Sequence, residues 1–266
     1  MYSTNYHRAS SVADAVKLLK KADDGKFVSG GMTLIPAMKT RLAAPSDLVD
    51  LRHVPELKGV KVSGKTVTIG AATTHAEVAA NAKLASVCPA ICHLAAHIGD
   101  PHVRHMGTIG GSVANNDPAA DYPAALLALG ATIVTNKREI AADKFFTGLF
   151  ETALKDDEIV TAVSFTAPAK CGYAKFPNPA SRYAMTGVFV ARAKDGVRVA
   201  VTGAGEDGVF RSKEIEAALA KKFDVSALEG VSVSAGTLMS DIHANAEYRA
   251  NLVVVMAKRA VASANG

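Results

Sequence analysis

The chain of 266 residues has no Trp, only three Cys and no apolar run long enough for a membrane span, which requires about 18 residues. Three cysteines, Cys88, Cys92 and Cys171, are too few and unevenly placed for the disulfide framework of a secreted domain. The first twenty residues lack the continuous apolar segment of a signal peptide. We therefore expect a cytoplasmic protein that does not span a membrane.

The composition is that of a folded protein, with 49% apolar and 21% charged residues. The length predicts two domains. The net charge of +5 comes from scattered basic residues. Pairs such as Lys20-Lys21 and Lys221-Lys222 lie at the ends of predicted helices and have no aromatic side chains beside them, so we expect no nucleic-acid partner.

Hydrophobic periodicity predicts an α+β fold. The segment 167–172, with its Pro and Gly, is the candidate linker between a first domain of residues 1–168 and a second of residues 173–266. The second domain is predicted to be a small α+β unit with a three-stranded sheet. Helices are predicted near 12–19, 34–42, 74–82, 87–98, 209–222 and 245–262 and from residue 121, and strands at 27–28, 48–51, 65–69, 132–135, 158–165, 187–193, 197–202 and 231–235.

Two Gly-Gly turns, at Gly30-Gly31 and Gly110-Gly111, each precede a predicted helix. Glycine lets the backbone adopt positive φ and approach a ligand closely, and N–H groups at a helix start favour an anion. Hydroxyl groups flank both turns, from Ser29 and Thr33 on the first and from Thr108 and Ser112 on the second. The pattern predicts that the two turns hold a diphosphate between them.

The full strings around these turns are VSGGMTLIPAMK (28–39) and IGDPHVRHMGTIGGSVANNDPAAD (98–121). They resemble the FAD-binding subunits of the molybdenum hydroxylases, the family that includes aerobic carbon monoxide dehydrogenases, xanthine dehydrogenases and aldehyde oxidoreductases. The resemblance covers nearly the whole chain. It implies an FAD-binding domain of the vanillyl-alcohol oxidase type, with subdomains at about 1–56 and 57–168, followed by a C-terminal flavoprotein domain.

The resemblance also implies cofactor-binding residues, which are carried over by position. Tyr183 matches an aromatic position at the flavin ring, although a buried core tyrosine is an equally good interpretation. Two departures are Met32, where many relatives have a polar residue, and Pro177, where relatives often have a cation. The implied residues are Val28, Ser29, Gly30, Gly31, Met32, Thr33, Leu34, Thr108, Ile109, Gly110, Gly111, Ser112, Asp121, Val160 and Tyr183.

The function implied by the resemblance is electron transfer. Electrons leave a molybdenum cofactor on a large subunit, pass [2Fe–2S] clusters on a small subunit and reach FAD on this chain. They then pass to quinone, NAD, oxygen or another acceptor. The assembly implied is a dimer of heterotrimers, and this chain supplies no residue that is catalytic on the oxidised substrate. The family handles carbon monoxide, aldehydes, purines and N-heterocycles, and general likeness favours carbon monoxide among these.

Two alternatives remain at this level. Gly203-Ala-Gly-Glu-Asp-Gly208 matches the G-x-G-x-x-G pattern of NAD(P)-dependent dehydrogenases, with Asp224 about twenty residues further on. Residues 88–105 contain two Cys and four His, which would suit a zinc-stabilised binding module. Neither has the complete spacing of its class, and we expect no metal site on this chain.

Overall fold

The computed structural model describes residues 1–266, and its first sheet is small and parallel, with strand order β1-β3-β2. Parallel neighbours need a crossover, so a helix follows each of the first two strands. The first Gly-Gly turn connects the second strand to the second helix and therefore lies at the carboxyl edge of this sheet. The elements are β1 (Asn5–Arg8), α1 (Val12–Leu19), β2 (Gly25–Val28), α2 (Leu34–Lys39) and β3 (Asp47–Asp50).

A second sheet of five antiparallel strands, in the order β4-β5-β10-β6-β7, follows. The helix predicted at 87–98 is α5 (Pro89–Ala96), which Pro89 starts after Cys88 leaves the helical conformation. The short helix before it, α4 (Ala82–Val87), was not predicted. The elements are β4 (Val60–Ser63), β5 (Thr66–Gly70), α3 (His75–Ala79), α4 (Ala82–Val87), α5 (Pro89–Ala96), α6 (Pro101–Met106), α7 (Ile109–Asn115), α8 (Asp121–Ala128), β6 (Thr132–Thr135), β7 (Glu139–Ala141), α9 (Ala142–Phe145), the hairpin β8 (Phe146–Gly148) and β9 (Glu151–Thr152), and β10 (Val160–Thr166).

The C-terminal sheet is antiparallel and has four strands, not the three predicted. The predicted strand at 231–235 is wrong: this segment is irregular, and Val231 and Val233 pack against the core without joining the sheet. The segment 170–172, predicted as linker, belongs to the first strand. The elements are β11 (Lys170–Pro177), β12 (Ala184–Ala193), β13 (Gly196–Thr202), β14 (Phe210–Arg211), α10 (Lys213–Lys221) and α11 (Ala246–Asn265).

Helix α8 joins the C-terminal sheet to the rest of the chain. All its residues are buried, and it packs against β12 and β13. The preceding loop is fixed to the same sheet, because the Thr202 hydroxyl donates to the Ala120 carbonyl oxygen at 2.6 Å and the Gly203 N–H donates to the Pro118 carbonyl oxygen at 2.9 Å. The start of α8 is thereby held where all three sheets meet. None of the helices is long and apolar enough to cross a lipid bilayer.

Candidate functional site

A cleft of about 900 Å³ opens where the three sheets meet, near the upper end of the range of about 300–1,000 Å³ that is usual for cofactor sites. Its walls come from both Gly-Gly turns and from the β11–β12 hairpin tip. Except for Ile109, every residue predicted to bind the cofactor lines this cleft, namely Val28, Ser29, Gly30, Gly31, Met32, Thr33, Leu34, Thr108, Gly110, Gly111, Ser112, Asp121, Val160 and Tyr183.

Ile109 lies in the main core instead, where its side chain is fully buried. Its N–H donates to the Thr73 carbonyl oxygen at 3.1 Å. The side chain therefore packs in the core, and Ile109 does not line the cleft. An apolar residue inside a loop of small and polar residues is a sequence signal for such an anchoring role.

The first glycine turn, residues 29–34, presents main-chain donors to the cleft. None of the consecutive N–H groups of these residues has a hydrogen-bond acceptor within the chain, and all belong to residues that line the cleft. Gly31 has φ of +71°, a left-handed conformation that favours glycine and turns successive N–H groups to the same side. Such a concave row of donors is suited to an anion.

Gly30 allows the two turns to approach each other. An ideal Cβ at this position would lie only 2.1 Å from the Met106 carbonyl oxygen and 2.6 Å from Gly107 Cα. Main chain therefore meets main chain here, and no other residue type fits. The contact closes one side of the cleft.

The second Gly-Gly pair is not a turn that precedes a helix, as predicted, because Gly110 and Gly111 lie in the first turn of α7. Their N–H groups form hydrogen bonds inside the protein. The N–H groups of Gly110 and Ser112 donate to carbonyl oxygens of the chain, and that of Gly111 donates to Thr108 Oγ1 at 3.2 Å. Thr108 Oγ1 in turn donates to Ser29 Oγ at 3.1 Å, which links the two turns. A Cβ on Gly110 would collide with Ala71, whereas Gly111 is exposed to the cleft with only Thr108 Oγ1 nearby. The sequence argument for free amides thus holds at the first turn and fails at the second.

Asp121 is the first residue of α8 and is held by two groups from β11. Lys175 Nζ lies 3.0 and 3.1 Å from its two carboxylate oxygens, and the Tyr173 hydroxyl donates to Oδ1. Burial raises the pKa of Asp121, and the Lys175 ammonium group and the Tyr173 hydroxyl oppose that effect. Sequence reasoning missed Lys175, although a lysine between the apolar residues Ala174 and Phe176 was a usable signal.

His75 lies beneath the contact between the two turns. Its ring is buried, its Nδ1 has no partner, and its backbone N–H donates to the Gly107 carbonyl oxygen at 3.0 Å. Burial, with a smaller contribution from the Arg104 charge, lowers the pKa of His75 to about 4. The imidazole is therefore neutral at pH 7.

A hairpin tip adds an exposed aromatic ring to the cleft wall. Phe150 has φ of +56°, is 58% exposed and lines the cleft. Asn116, also left-handed at +43°, fixes this tip, since its side-chain amide donates to the carbonyl oxygens of Gly148 and Glu151 at 2.8 Å each. Strained residues of this kind persist only where the surrounding structure holds them.

Comparisons with known proteins agree with this geometry. Residues 2–168 match the family described as the FAD binding domain in molybdopterin dehydrogenase. The carbon monoxide dehydrogenase medium chain of Afipia carboxidovorans is 35% identical over 97% of this chain and 96% of its own length. The nicotine 6-hydroxylase medium subunit of Paenarthrobacter nicotinovorans is 34% identical with the same coverage.

This chain belongs to that family of FAD-binding domains. The structure of reconstituted carbon monoxide dehydrogenase from Oligotropha carboxidovorans matches with a TM-score of 0.88 and 34% identity, covering 99% of this chain and 98% of the other. The enzyme from Hydrogenophaga pseudoflava gives a TM-score of 0.87 at 31% identity, covering 99% and 97%. The family assignment and the α+β fold predicted from sequence are confirmed, with the C-terminal strand count corrected above.

The residues present fit FAD, the cofactor of this family of oxidoreductase subunits. The first turn supplies a row of donors suited to a diphosphate, and the cleft is large enough for an extended dinucleotide. Tyr183 is 46% exposed at the cleft wall, so the alternative of a buried core tyrosine is wrong. Contact of Tyr183 with the flavin ring stays a prediction.

The structure does not support the NAD(P)-binding motif or the zinc-stabilised module that the sequence left open. Gly203 and Gly205 lie in a turn between antiparallel strands, where a Cβ on Gly203 would meet the Ala184 carbonyl oxygen at 2.2 Å, and Asp224 caps a short helix. A Rossmann dinucleotide-binding fold would need parallel strands on both sides of this glycine-rich turn. No group of three or more His, Cys, Asp or Glu side chains in residues 1–266 is arranged to hold a metal ion.

Proposed function

We propose that this chain is the FAD-binding electron-transfer subunit of a molybdenum hydroxylase. It would receive electrons from [2Fe–2S] clusters of a small partner subunit and deliver them to an external acceptor such as quinone, NAD or oxygen. The single observation that carries the proposal is the row of main-chain N–H groups at residues 29–34, which have no acceptor in the chain and line the cleft of an FAD-binding family.

The proposal assigns a role to each part of the cleft. The amides of the first turn hold the diphosphate, and the hydroxyl groups of Ser29, Thr33, Thr108 and Ser112 supplement them. Val160 provides an apolar contact, and Tyr183 lies at the flavin ring. Bound FAD supplies the redox chemistry, while the chain positions it and shields it from water. No side chain of the cleft is assigned as catalytic on the oxidised substrate.

The proposed partners are a large subunit with the molybdenum cofactor and a small iron–sulfur subunit, assembled as a dimer of heterotrimers. Support comes from the names of the relatives, which are medium chains or subunits. We propose a first domain of residues 1–168 and a second of residues 173–266, in agreement with the extent of the family match. A cytoplasmic location is supported by three cysteines that form no disulfide.

The oxidised substrate differs among relatives named for carbon monoxide, nicotine and glyceraldehyde, and carbon monoxide is our preference on general likeness. The substrate site would lie on the large subunit. Assays of a purified complex with these three compounds, each with an artificial electron acceptor, separate the candidates.

The decisive experiment is an absorbance spectrum of the purified chain. We expect a flavin band pair that dithionite bleaches and one FAD per chain after reconstitution. A chain that stays colourless with excess FAD contradicts the proposal. Co-purification with the products of co-expressed large and small subunits, with analysis of molybdenum and iron, tests the assembly.

A further inference from the structure

A buried ion pair connects the C-terminal sheet to the cleft. Lys175 lies on β11 and Asp121 at the start of α8, and their side chains are 6% and 5% exposed. The Lys175 ammonium group donates to both carboxylate oxygens of Asp121 and to the His97 carbonyl oxygen, the last at 2.9 Å. Every proton of the ammonium group thus has an acceptor.

Stability alone does not account for such a pair. Removing two charges from water costs about as much as their attraction returns, and apolar residues of similar volume are often as stable. Asp121 lines the cleft, whereas Lys175 does not. The ammonium group therefore acts on the cleft through the carboxylate.

The carboxylate keeps one oxygen available. Oδ1 accepts from the Tyr173 hydroxyl and from Lys175, but Oδ2 accepts from Lys175 alone. A carboxylate oxygen has two lone-pair positions, so Oδ2 retains one for a further donor. Both partners that fix Asp121 come from β11, which makes the orientation of this oxygen depend on the docking of the C-terminal sheet.

We propose that Lys175 is a positioning residue for the cofactor, holding Asp121 ionised and oriented so that Oδ2 accepts a hydrogen bond from a hydroxyl or N–H group of bound FAD. This rests on the proposed function. It makes β11 of the C-terminal sheet part of the support of the FAD site.

A double-mutant cycle on the full chain tests this proposal, with the FAD dissociation constant measured by fluorescence titration. We expect Lys175→Met to weaken FAD binding by about 10-fold or more, and Asp121→Asn by at least as much. In the Asp121→Asn background, Lys175→Met is expected to have no further effect. The matched control is Lys170→Met on the same strand, whose exposed Nζ contacts only Asn265 and whose loss is expected to leave binding unchanged.

Other results would overturn the proposal. Equal weakening by Lys175→Met in both backgrounds would show a merely structural role, and an unchanged dissociation constant for Lys175→Met would show no role. If Lys175→Met does not fold, the variant with both substitutions has no buried charge and is expected to fold and to bind FAD as Asp121→Asn does; tighter or much weaker binding overturns the proposal. A wild-type chain that binds no FAD would instead contradict the proposed function itself.

Discussion

The two glycine turns have similar sequences and different physical roles. The first leaves its main-chain N–H groups free along the cleft, whereas the second donates almost all of its own to acceptors inside the protein. Gly31 is needed for a left-handed backbone, while Gly110 is needed because Ala71 packs against it. Gly30-Gly31 precedes α2, whereas Gly110-Gly111 lies in the first turn of α7. A Gly-Gly pair therefore indicates close approach of the backbone in both places, but it indicates an anion site only where no acceptor in the protein pairs with the N–H groups.

The largest effect is expected from Gly30→Val, which breaks the contact between the turns. The new side chain would collide with main-chain atoms of Met106 and Gly107, which have no flexible end to move. We expect the free energy of unfolding to fall by about 1–3 kcal/mol and FAD to be lost. Urea unfolding and visible flavin absorbance measure the two effects. Stoichiometric FAD with unchanged unfolding would show that the turns do not meet as described.

Gly111→Val is expected to weaken FAD binding without changing the stability of the fold. Its Cβ would meet only Thr108 Oγ1, at 3.0 Å, and otherwise point into the cleft. We expect FAD affinity to fall by about 100-fold, equivalent to about 2.7 kcal/mol, while urea unfolding without FAD changes little. Gly236→Ala is the control, since its nearest neighbour is Ser234 Oγ at 3.6 Å and neither property is expected to change. Full retention of FAD by Gly111→Val would remove the second turn from the site.

The burial of His75, below the contact between the two glycine turns, makes the free energy of unfolding depend on pH. Its pKa is lowered to about 4, so between pH 4 and pH 6.5 the unfolded chain binds a proton that the folded chain excludes. Stability should therefore decrease as the pH falls through this window, by at most about 3 kcal/mol from this residue. His75→Leu should flatten that part of the curve in urea unfolding experiments, and identical slopes in both proteins would contradict the assignment.

The smallest effect is expected from Thr108→Val compared with Thr33→Val. Both threonines precede a helix, but only Thr108 accepts a capping hydrogen bond, from the Gly111 N–H. Loss of this cap and of the bond to Ser29 should lower the free energy of unfolding by about 1 kcal/mol, whereas Thr33→Val should leave it unchanged. Thermal unfolding of the FAD-free proteins distinguishes the two variants, and equal losses would mean that the turns are equivalent.

Sequence reasoning found the cleft because its determinants are local. Glycines, hydroxyl groups and the start of α8 are adjacent in short strings, and all but Ile109 of the predicted residues line one cleft. Whether an amide is free is not a local property: the acceptor for the Gly110 N–H is the carbonyl oxygen of Ala71, from a distant part of the chain. The Lys175 contact with Asp121 joins β11 to the start of α8, 54 residues apart in the chain, and local strings do not reveal it for the same reason.

The errors in the C-terminal region also have tertiary causes. Gly172 suggested a linker, yet it lies in β11 because α11 crosses there, and an ideal Cβ would lie 1.9 Å from the Ala260 carbonyl oxygen. The alternation of Val231 and Val233 suggested a strand, but these partly buried side chains pack against the core from an irregular segment. Local pattern identified burial in both cases and misassigned the backbone.

The burial of helix α8 on all sides has a practical consequence for dissecting the protein. Its residues face β12 and β13 as well as the preceding core, so a fragment ending at residue 168 would leave an apolar helical surface uncovered. We expect such a truncation to aggregate or to require detergent. Functional work on the cofactor region is therefore better served by point substitutions in the intact polypeptide than by shortened versions of it.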